Sequence, residues 1–213
     1  LAAAEGYDFI ADDILQETAG GAAAATRKAM WFEGPSKGID VSLGLFVDAN
    51  ISRPGRSRRE LGFIKPLMRR TFLEAHGLAY DDAMRLGEDY DLYVGALAAG
   101  ARFRLTPAMG YVAVMRADSL SAVHSRSDLA ALAAADTRLL AGTQLSALDE
   151  KLVRAHRKSI QRRIAWIDFR DAVKARQAFP ALRILVNAPI QAPSHLGQFA
   201  FVSVRKLWRM LNR

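Results

Sequence analysis

Apolar and polar positions alternate over several short stretches of the chain and recur at helical spacing between them. Tyr7–Leu15 (YDFIADDIL) clusters its apolar residues and closes on acids, the pattern of a strand running into a turn. The small residues from Gly20 to Ala25 read as a loop. In Lys37–Asn50, residues Ile39, Leu43 and Phe46 fall on one face of a short helix. A basic loop containing Pro54 and Gly55 runs from Arg53 to Arg59. Phe63–Gly77 reads as a strand end followed by a helix. Pro66 sits near the helix start, where a missing N–H is tolerated, and Gly77 suits the C-terminal cap. Gly87 precedes three acids, Glu88, Asp89 and Asp91, and a helix running to Gly100. Acids at a helix N-terminus complement its dipole. Arg102–Met115 reads as strand, turn, strand, closing a hairpin. From Asp128 onward the pattern is helical, with Leu148, Leu152, Ile160, Ile164 and Ile167 near helical spacing. Strands alternating with helices predict an α/β layer followed by a helical tail.

Length and composition suit one domain, or one domain with an appendage: 213 residues, about half of them apolar. There is no cysteine, which excludes disulfides, thiolate metal sites and cysteine nucleophiles and fits a reducing cytoplasm. No apolar run reaches the roughly 18–20 residues that span a bilayer. Leu1–Glu5 reads as the end of a helix already under way, so the sequence is expected to be the C-terminal part of a longer protein.

Charge divides the chain. Residues 1–150 carry 16 Lys/Arg against 20 Asp/Glu, whereas residues 151–213 carry 14 Lys/Arg against only Asp168 and Asp171. A basic tail points to a polyanionic partner: a phospholipid surface, a lipid pyrophosphate or nucleic acid. Phe201, Val204, Trp208 and Leu211 form an apolar stripe with Arg205, Lys206, Arg209 and Arg213 mostly off it. That suits an interfacial helix on anionic lipid, and equally an ordinary helix packed on the domain. Nucleic acid ranks last among the partners, because no nucleic-acid-binding module is recognisable.

The sharpest chemical signal is GEDYDL, Gly87–Leu92. A carboxylate at a helix start is held rigidly. Sugar transfer with inversion needs such a group to take the proton from the acceptor hydroxyl. The plainer reading of the same acids is a helix cap. The wider run from Leu61 to Ser121 (LGFIKPLMRRTFLEAHGLAYDDAMRLGEDYDLYVGALAAGARFRLTPAMGYVAVMRADSLS) resembles the second half of the catalytic domain of family 2 glycosyltransferases, of the succinoglycan type. An acceptor-side segment, a Glu-Asp motif, a helix, a hairpin ending in Tyr and Arg and a Ser-x-Ser step follow in that family's order, and the resemblance covers about Tyr7 to His124.

The resemblance implies a GT-A type α/β fold. Residues 1–127 would be the C-terminal half of a GT-A-like catalytic domain, and residues 128–213 a basic helical tail. It makes Asp89 the catalytic base, with Glu88 positioning it or binding the acceptor, and Asp91 either on the substrate side or a helix cap. It also implies a divalent cation, Mg or Mn, held by a DxD motif. Asp8, Asp12 and Asp13 do not reproduce that motif, so its main ligands are expected before Leu1. Asp12 and Asp13 then lie at a strand end near the substrate cleft, or simply form a turn. Lys65 and Arg69 are four residues apart and can share a helix face toward a donor phosphate or lipid pyrophosphate, or form a solvated face. Arg116 is a candidate for the donor phosphate, and His124 for the metal or for ordinary packing. Gln161, Arg162, Arg163 and Trp166 do not match the Gln-x-x-Arg-Trp spacing of processive members, so a single sugar addition is expected.

The expected function is inverting transfer of one sugar from a nucleotide-sugar donor to a lipid-linked oligosaccharide at the inner face of the cytoplasmic membrane, in exopolysaccharide synthesis. The competing class is a non-catalytic fragment acting in self-association or anionic membrane binding. The chain alone is expected to be inactive in transfer and, with an uncovered sheet edge, to form a homo-oligomer.

Overall fold

The computed structural model describes residues 5–18, 27–53, 59–115 and 124–177, together with 179–180 and 183–184. The architecture is mixed α/β. Strand β1 (Phe9–Asp12) lies inside a four-stranded sheet, beside β6 (Phe103–Thr106) in parallel and β5 (Leu67–Met68) in antiparallel pairing; β4 (Ile39–Asp40) closes the far edge on β6. A second sheet of three strands has β2 (Leu15–Thr18) between β3 (Arg27–Ala29) and β7 (Val112–Met115), with β2 and β7 parallel. The neighbours β1 and β6 thus run on as the neighbours β2 and β7 across a bend.

Asp13 makes that bend. Its buried carboxylate accepts from the backbone N–H groups of Ile14 (2.8 Å), Trp31 (2.9 Å) and Phe32 (2.8 Å), which ties the segment after β3 to the end of β1. A buried carboxylate persists only when such donors replace its lost water.

The core lies between the first sheet and the helices. Strand alternation turns Phe9, Ala11, Phe103 and Leu105 inward. They meet helix α1 (Leu43–Asn50) through Phe46 and Val47, and helix α3 (Glu88–Ala98) through Tyr93, Val94 and Leu97. Phe9 contacts the rings of Tyr93 and Phe72 edge-on, at 6.2 and 6.3 Å between centroids, a geometry that puts ring edges on ring faces. Ser42 caps α1 by accepting from the Leu45 N–H at 3.2 Å.

Helices α4 (Arg126–Gly142) and α5 (Ala147–Lys174) form a hairpin laid over α1 and α3. Leu139 and Val153 belong to the same apolar cluster as Phe9 and Phe46. Gly44 permits this docking: a Cβ there would stand 2.8 Å from Asp149 Oδ1 and 3.3 Å from Leu152 Cδ1. A buried polar group fastens it. The Tyr90 hydroxyl donates to Asp136 Oδ1 at 2.8 Å, Asp136 Oδ2 lies 2.9 Å from His156 Nδ1, and the His156 ring stacks on Tyr90 at 4.4 Å. Arg138 adds an ion pair to Asp91 at 3.0 Å, and Arg85 pairs with Asp128 at the capped start of α4.

Several sequence expectations need correction. Helix α1 begins at Leu43, and Ile39 belongs to strand β4. Strands β6 and β7 are not a hairpin: each pairs within a different sheet. The segment from Phe63 holds the end of a 3-10 turn (Leu61–Phe63), strand β5, and a helix α2 (Arg70–Ala75) that starts after Arg69. Lys65 and Arg69 therefore straddle a strand and share no helix face. On α5 the inward positions are Val153, His156 and Ile160, whereas Leu148 is 65% exposed. The expected loop Gly20–Ala25, most of the basic loop between Arg53 and Arg59, and the stripe Phe201–Leu211 lie outside the described residues.

Candidate functional site

Helix α3 opens at Gly87, whose φ of 86° is the left-handed conformation that a side chain disfavours. A Cβ on Gly87 would also stand 2.9 Å from Leu132 Cδ1 of helix α4. The glycine thus lets the chain enter the helix sharply against its neighbour, with Glu88, Asp89 and Asp91 in the first turn.

Asp89 is the centre of a small cluster. Its Oδ1 accepts from the Tyr80 hydroxyl at 3.1 Å and the Tyr93 hydroxyl at 3.2 Å; the Tyr93 hydroxyl also lies 3.2 Å from the Ile64 carbonyl. Its Oδ2 accepts from the Lys65 ammonium. Local structure explains each partner. Tyr93 stands four residues after Asp89 and so shares its helix face. Tyr80 is fixed in the connection between α2 and α3 by the Leu78 N–H bonded to the Leu73 carbonyl and by the turn at Asp81, which accepts from Ala83 N–H. Lys65 follows the buried Ile64 and precedes the buried Pro66, and the alternation leaves it outward.

Burial pushes the Tyr80 and Tyr93 hydroxyls above the ordinary phenol range, and the nearby Asp89 charge pushes the same way. Both therefore stay protonated and donate to Oδ1. The two carboxylate oxygens differ: Oδ1 meets two tyrosine hydroxyls, one from the core residue Tyr93 and one from the half-exposed Tyr80, while Oδ2 meets the half-exposed Lys65. The carboxylate itself is only 17% exposed.

The cluster lies at the carboxyl end of β1. Strands β5 and β1 pair Leu67 with Ile10, and two residues further along this antiparallel register stand Lys65 and Asp12. In open α/β sheets, the carboxyl ends of the parallel strands are where ligands bind. The chain is similar to two succinoglycan biosynthesis proteins. It is 44% identical to ExoU of Rhizobium meliloti (strain 1021) over 198 residues, which cover 92% of this chain and 57% of that protein. It is 30% identical to ExoO of the same organism over 167 residues, covering 78% of this chain and 47% of that protein. The chain thus spans about half the length of the curated relatives it matches. No family model matches the chain. A stretch that covers 92% of a 213-residue chain spans its middle, Gly87–Tyr93 included.

The remaining candidates are distributed around this centre. Glu88 is half-buried and makes no hydrogen bond or ion pair among the described residues. Asp91 is engaged by Arg138 of α4. Arg69 donates to the Tyr7 carbonyl at 2.8 Å and pairs with Asp8 at 3.4 Å, so its guanidinium faces the start of β1 rather than Asp89. Asp12 Oδ2 accepts from the Met109 N–H at 3.0 Å and the Tyr111 N–H at 3.4 Å, which fastens the connection between β6 and β7. Asp13 is the buried tie at the bend. His124 stands just before Ser125, the N-cap of α4; Arg116 lies outside the described residues. Tyr80 and Tyr93 were not found by sequence reasoning. The i,i+4 spacing from Asp89 could have revealed Tyr93, whereas nothing local marks Tyr80.

Among the described residues no three His, Asp or Glu side chains converge as a metal site. Both oxygens of Asp13, and Oδ2 of Asp12, already accept from backbone N–H groups.

Proposed function

We propose that this chain belongs to an inverting glycosyltransferase of exopolysaccharide synthesis, one that adds a single sugar from a nucleotide-sugar donor to a lipid-linked oligosaccharide, with Asp89 as the general base. The observation that carries the reading is the asymmetric set of partners on Asp89: Oδ1 accepts from two neutral tyrosines, and Oδ2, among the described residues, from Lys65 alone. Similarity to two proteins named for succinoglycan biosynthesis supports the pathway class.

In this reading the acceptor hydroxyl displaces Lys65 and hydrogen-bonds to Oδ2. As its oxygen attacks the anomeric carbon, its proton passes to Oδ2. The bond from the anomeric carbon to the diphosphate breaks on the opposite face, and the nucleoside diphosphate leaves with the electron pair. The displaced Lys65 ammonium remains near the reacting centre as a counter-charge. No step is assigned to a metal, because the described residues do not form its site.

The test is Asp89→Asn in the gene product that carries this chain. The amide keeps the size and the hydrogen bonds from the tyrosines but has no basicity. Transfer is expected to fall about 10²–10⁴-fold with the fold intact by circular dichroism. Turnover within a few-fold of the unmodified protein rules out Asp89 as the base.

A further inference from the structure

Tyr80 has two parts that face different ways. Its hydroxyl bonds to Asp89 Oδ1 at 3.1 Å, yet the residue as a whole is 44% exposed. Tyr93, which bonds to the same oxygen, is 1% exposed and belongs to the core. One tyrosine is thus an internal prop, while the other presents much of its ring to solvent directly beside the candidate base. Donating to Oδ1 does not by itself require an exposed ring, since Tyr93 donates from the core.

The exposed ring stands where one of the two substrates must come. A general base works within about 2.6–3.2 Å of the hydroxyl it deprotonates, so the sugar that carries this hydroxyl lies against the surroundings of Asp89. The donor's nucleotide lies on the other side of the anomeric carbon, in line with the leaving bond. A pyranose has a polar rim and, on one face, a patch of C–H groups with slight positive charge. The negative face of an aromatic ring attracts such a patch and excludes water from it. A second half-exposed ring, Phe63, precedes Ile64, whose carbonyl accepts from Tyr93.

We infer that Tyr80 is the acceptor-sugar platform of this site: its ring stacks on the terminal pyranose of the acceptor, and its hydroxyl orients the carboxylate that deprotonates that sugar. This deepens the transfer reading and rests on it. The inference makes a separable statement about each part of one side chain.

Two variants separate the parts. Tyr80→Phe keeps the ring and removes the bond to Asp89; kcat is expected to fall about tenfold, with the acceptor KM within about twofold. Tyr80→Leu removes the ring as well; the acceptor KM is expected to rise about tenfold or more, with the donor KM unchanged. A direct measurement keeps this apart from the identity of the base. In the Asp89→Asn protein, saturation-transfer NMR with methyl β-glucoside and methyl β-galactoside is expected to show binding that Tyr80→Leu abolishes and Tyr80→Phe retains. An acceptor KM that is the same in the Leu and Phe variants, or glycoside binding indifferent to the ring, overturns the inference. If Asp89→Asn retains turnover while Tyr80→Leu still loses glycoside binding, the base assignment falls and the sugar platform stands.

Discussion

At the scale of single residues, the site depends on how differently two tyrosines serve one carboxylate. The Tyr93 hydroxyl stands 3.2 Å from both Asp89 Oδ1 and the Ile64 carbonyl, its one proton shared between the two acceptors, and so joins helix α3 to the segment that carries Lys65. Tyr93→Phe removes that hydroxyl and leaves the ring packing on Phe9 and Phe46. The loss is expected to be about 0.5–1.5 kcal/mol in chemical denaturation. If the same energy is lost in the transition state, turnover falls about 2- to 10-fold. An unchanged denaturation midpoint would show that the bond is not made in solution. The helix start at Gly87 was legible in the sequence, because a glycine followed by acids marks one, whereas the choice of Asp89 among those acids came from the family resemblance. The partners of Asp89 were only partly legible. Lys65 was singled out as a phosphate ligand, yet it meets Asp89, since the alternation around Ile64 and Pro66 marks an extended segment and not the helix that Pro66 suggested.

At the scale of elements, helix α3 works with two faces. Asp89 and Tyr93 look toward the site, and Tyr90 looks toward Asp136 and His156. The Tyr90–Asp136–His156 group is buried, and its members hydrogen-bond one another in place of water. His156→Phe preserves a ring to stack on Tyr90 but leaves Asp136 without its second partner. Leaving a buried acceptor without its donor is expected to cost about 1–3 kcal/mol, readable as a lowered thermal midpoint. A midpoint equal to that of the parent protein would mean that water replaces the imidazole. Sequence periodicity could not reveal this brace. It ranks apolar residues as inward, so it favoured Leu148, which is exposed, over His156, which is buried. Similarly, the alternation within Phe103–Thr106 and Val112–Met115 identified two strands but not their partners, because pairing across sheets leaves no mark in the local pattern.

At the scale of the whole molecule, charge distributes stability and binding unevenly. Arg85 holds the Asp128 carboxyl well below the usual carboxylate range, mainly by hydrogen bonding to it across from α4. A carboxyl depressed in the folded state stabilises the fold above its unfolded value of about 3.9 and loses that contribution as pH falls further. Arg85→Gln is therefore expected to melt below the parent protein at pH 7, with the gap closing from about pH 4 downward. A gap independent of pH would assign the effect to packing. On α5, Lys151, Arg154, Lys158 and Arg162 form an exposed basic row, within a region that carries 14 Lys/Arg and two acids. No helix among the described residues is long and apolar enough to cross a membrane. We expect the chain to co-sediment with anionic but not neutral vesicles, and less so as salt rises above about 0.15 M. Equal retention on both vesicle types would exclude an electrostatic attachment.

The back-to-back faces of α3 have a consequence for how this stretch tolerates change over generations. Asp89 and Tyr90 are consecutive, yet one serves the site and the other the brace, because each residue turns the helix by about 100°. Inserting or deleting a residue between Asp89 and Tyr93 would swing the carboxylate off its tyrosine while the brace kept the later turns in place. A substitution at Leu92 or Val94 changes packing only locally, whereas a change in count rewrites which side chain meets Lys65. The stretch from Gly87 to Tyr93 is thus expected to drift in its letters more readily than in its length.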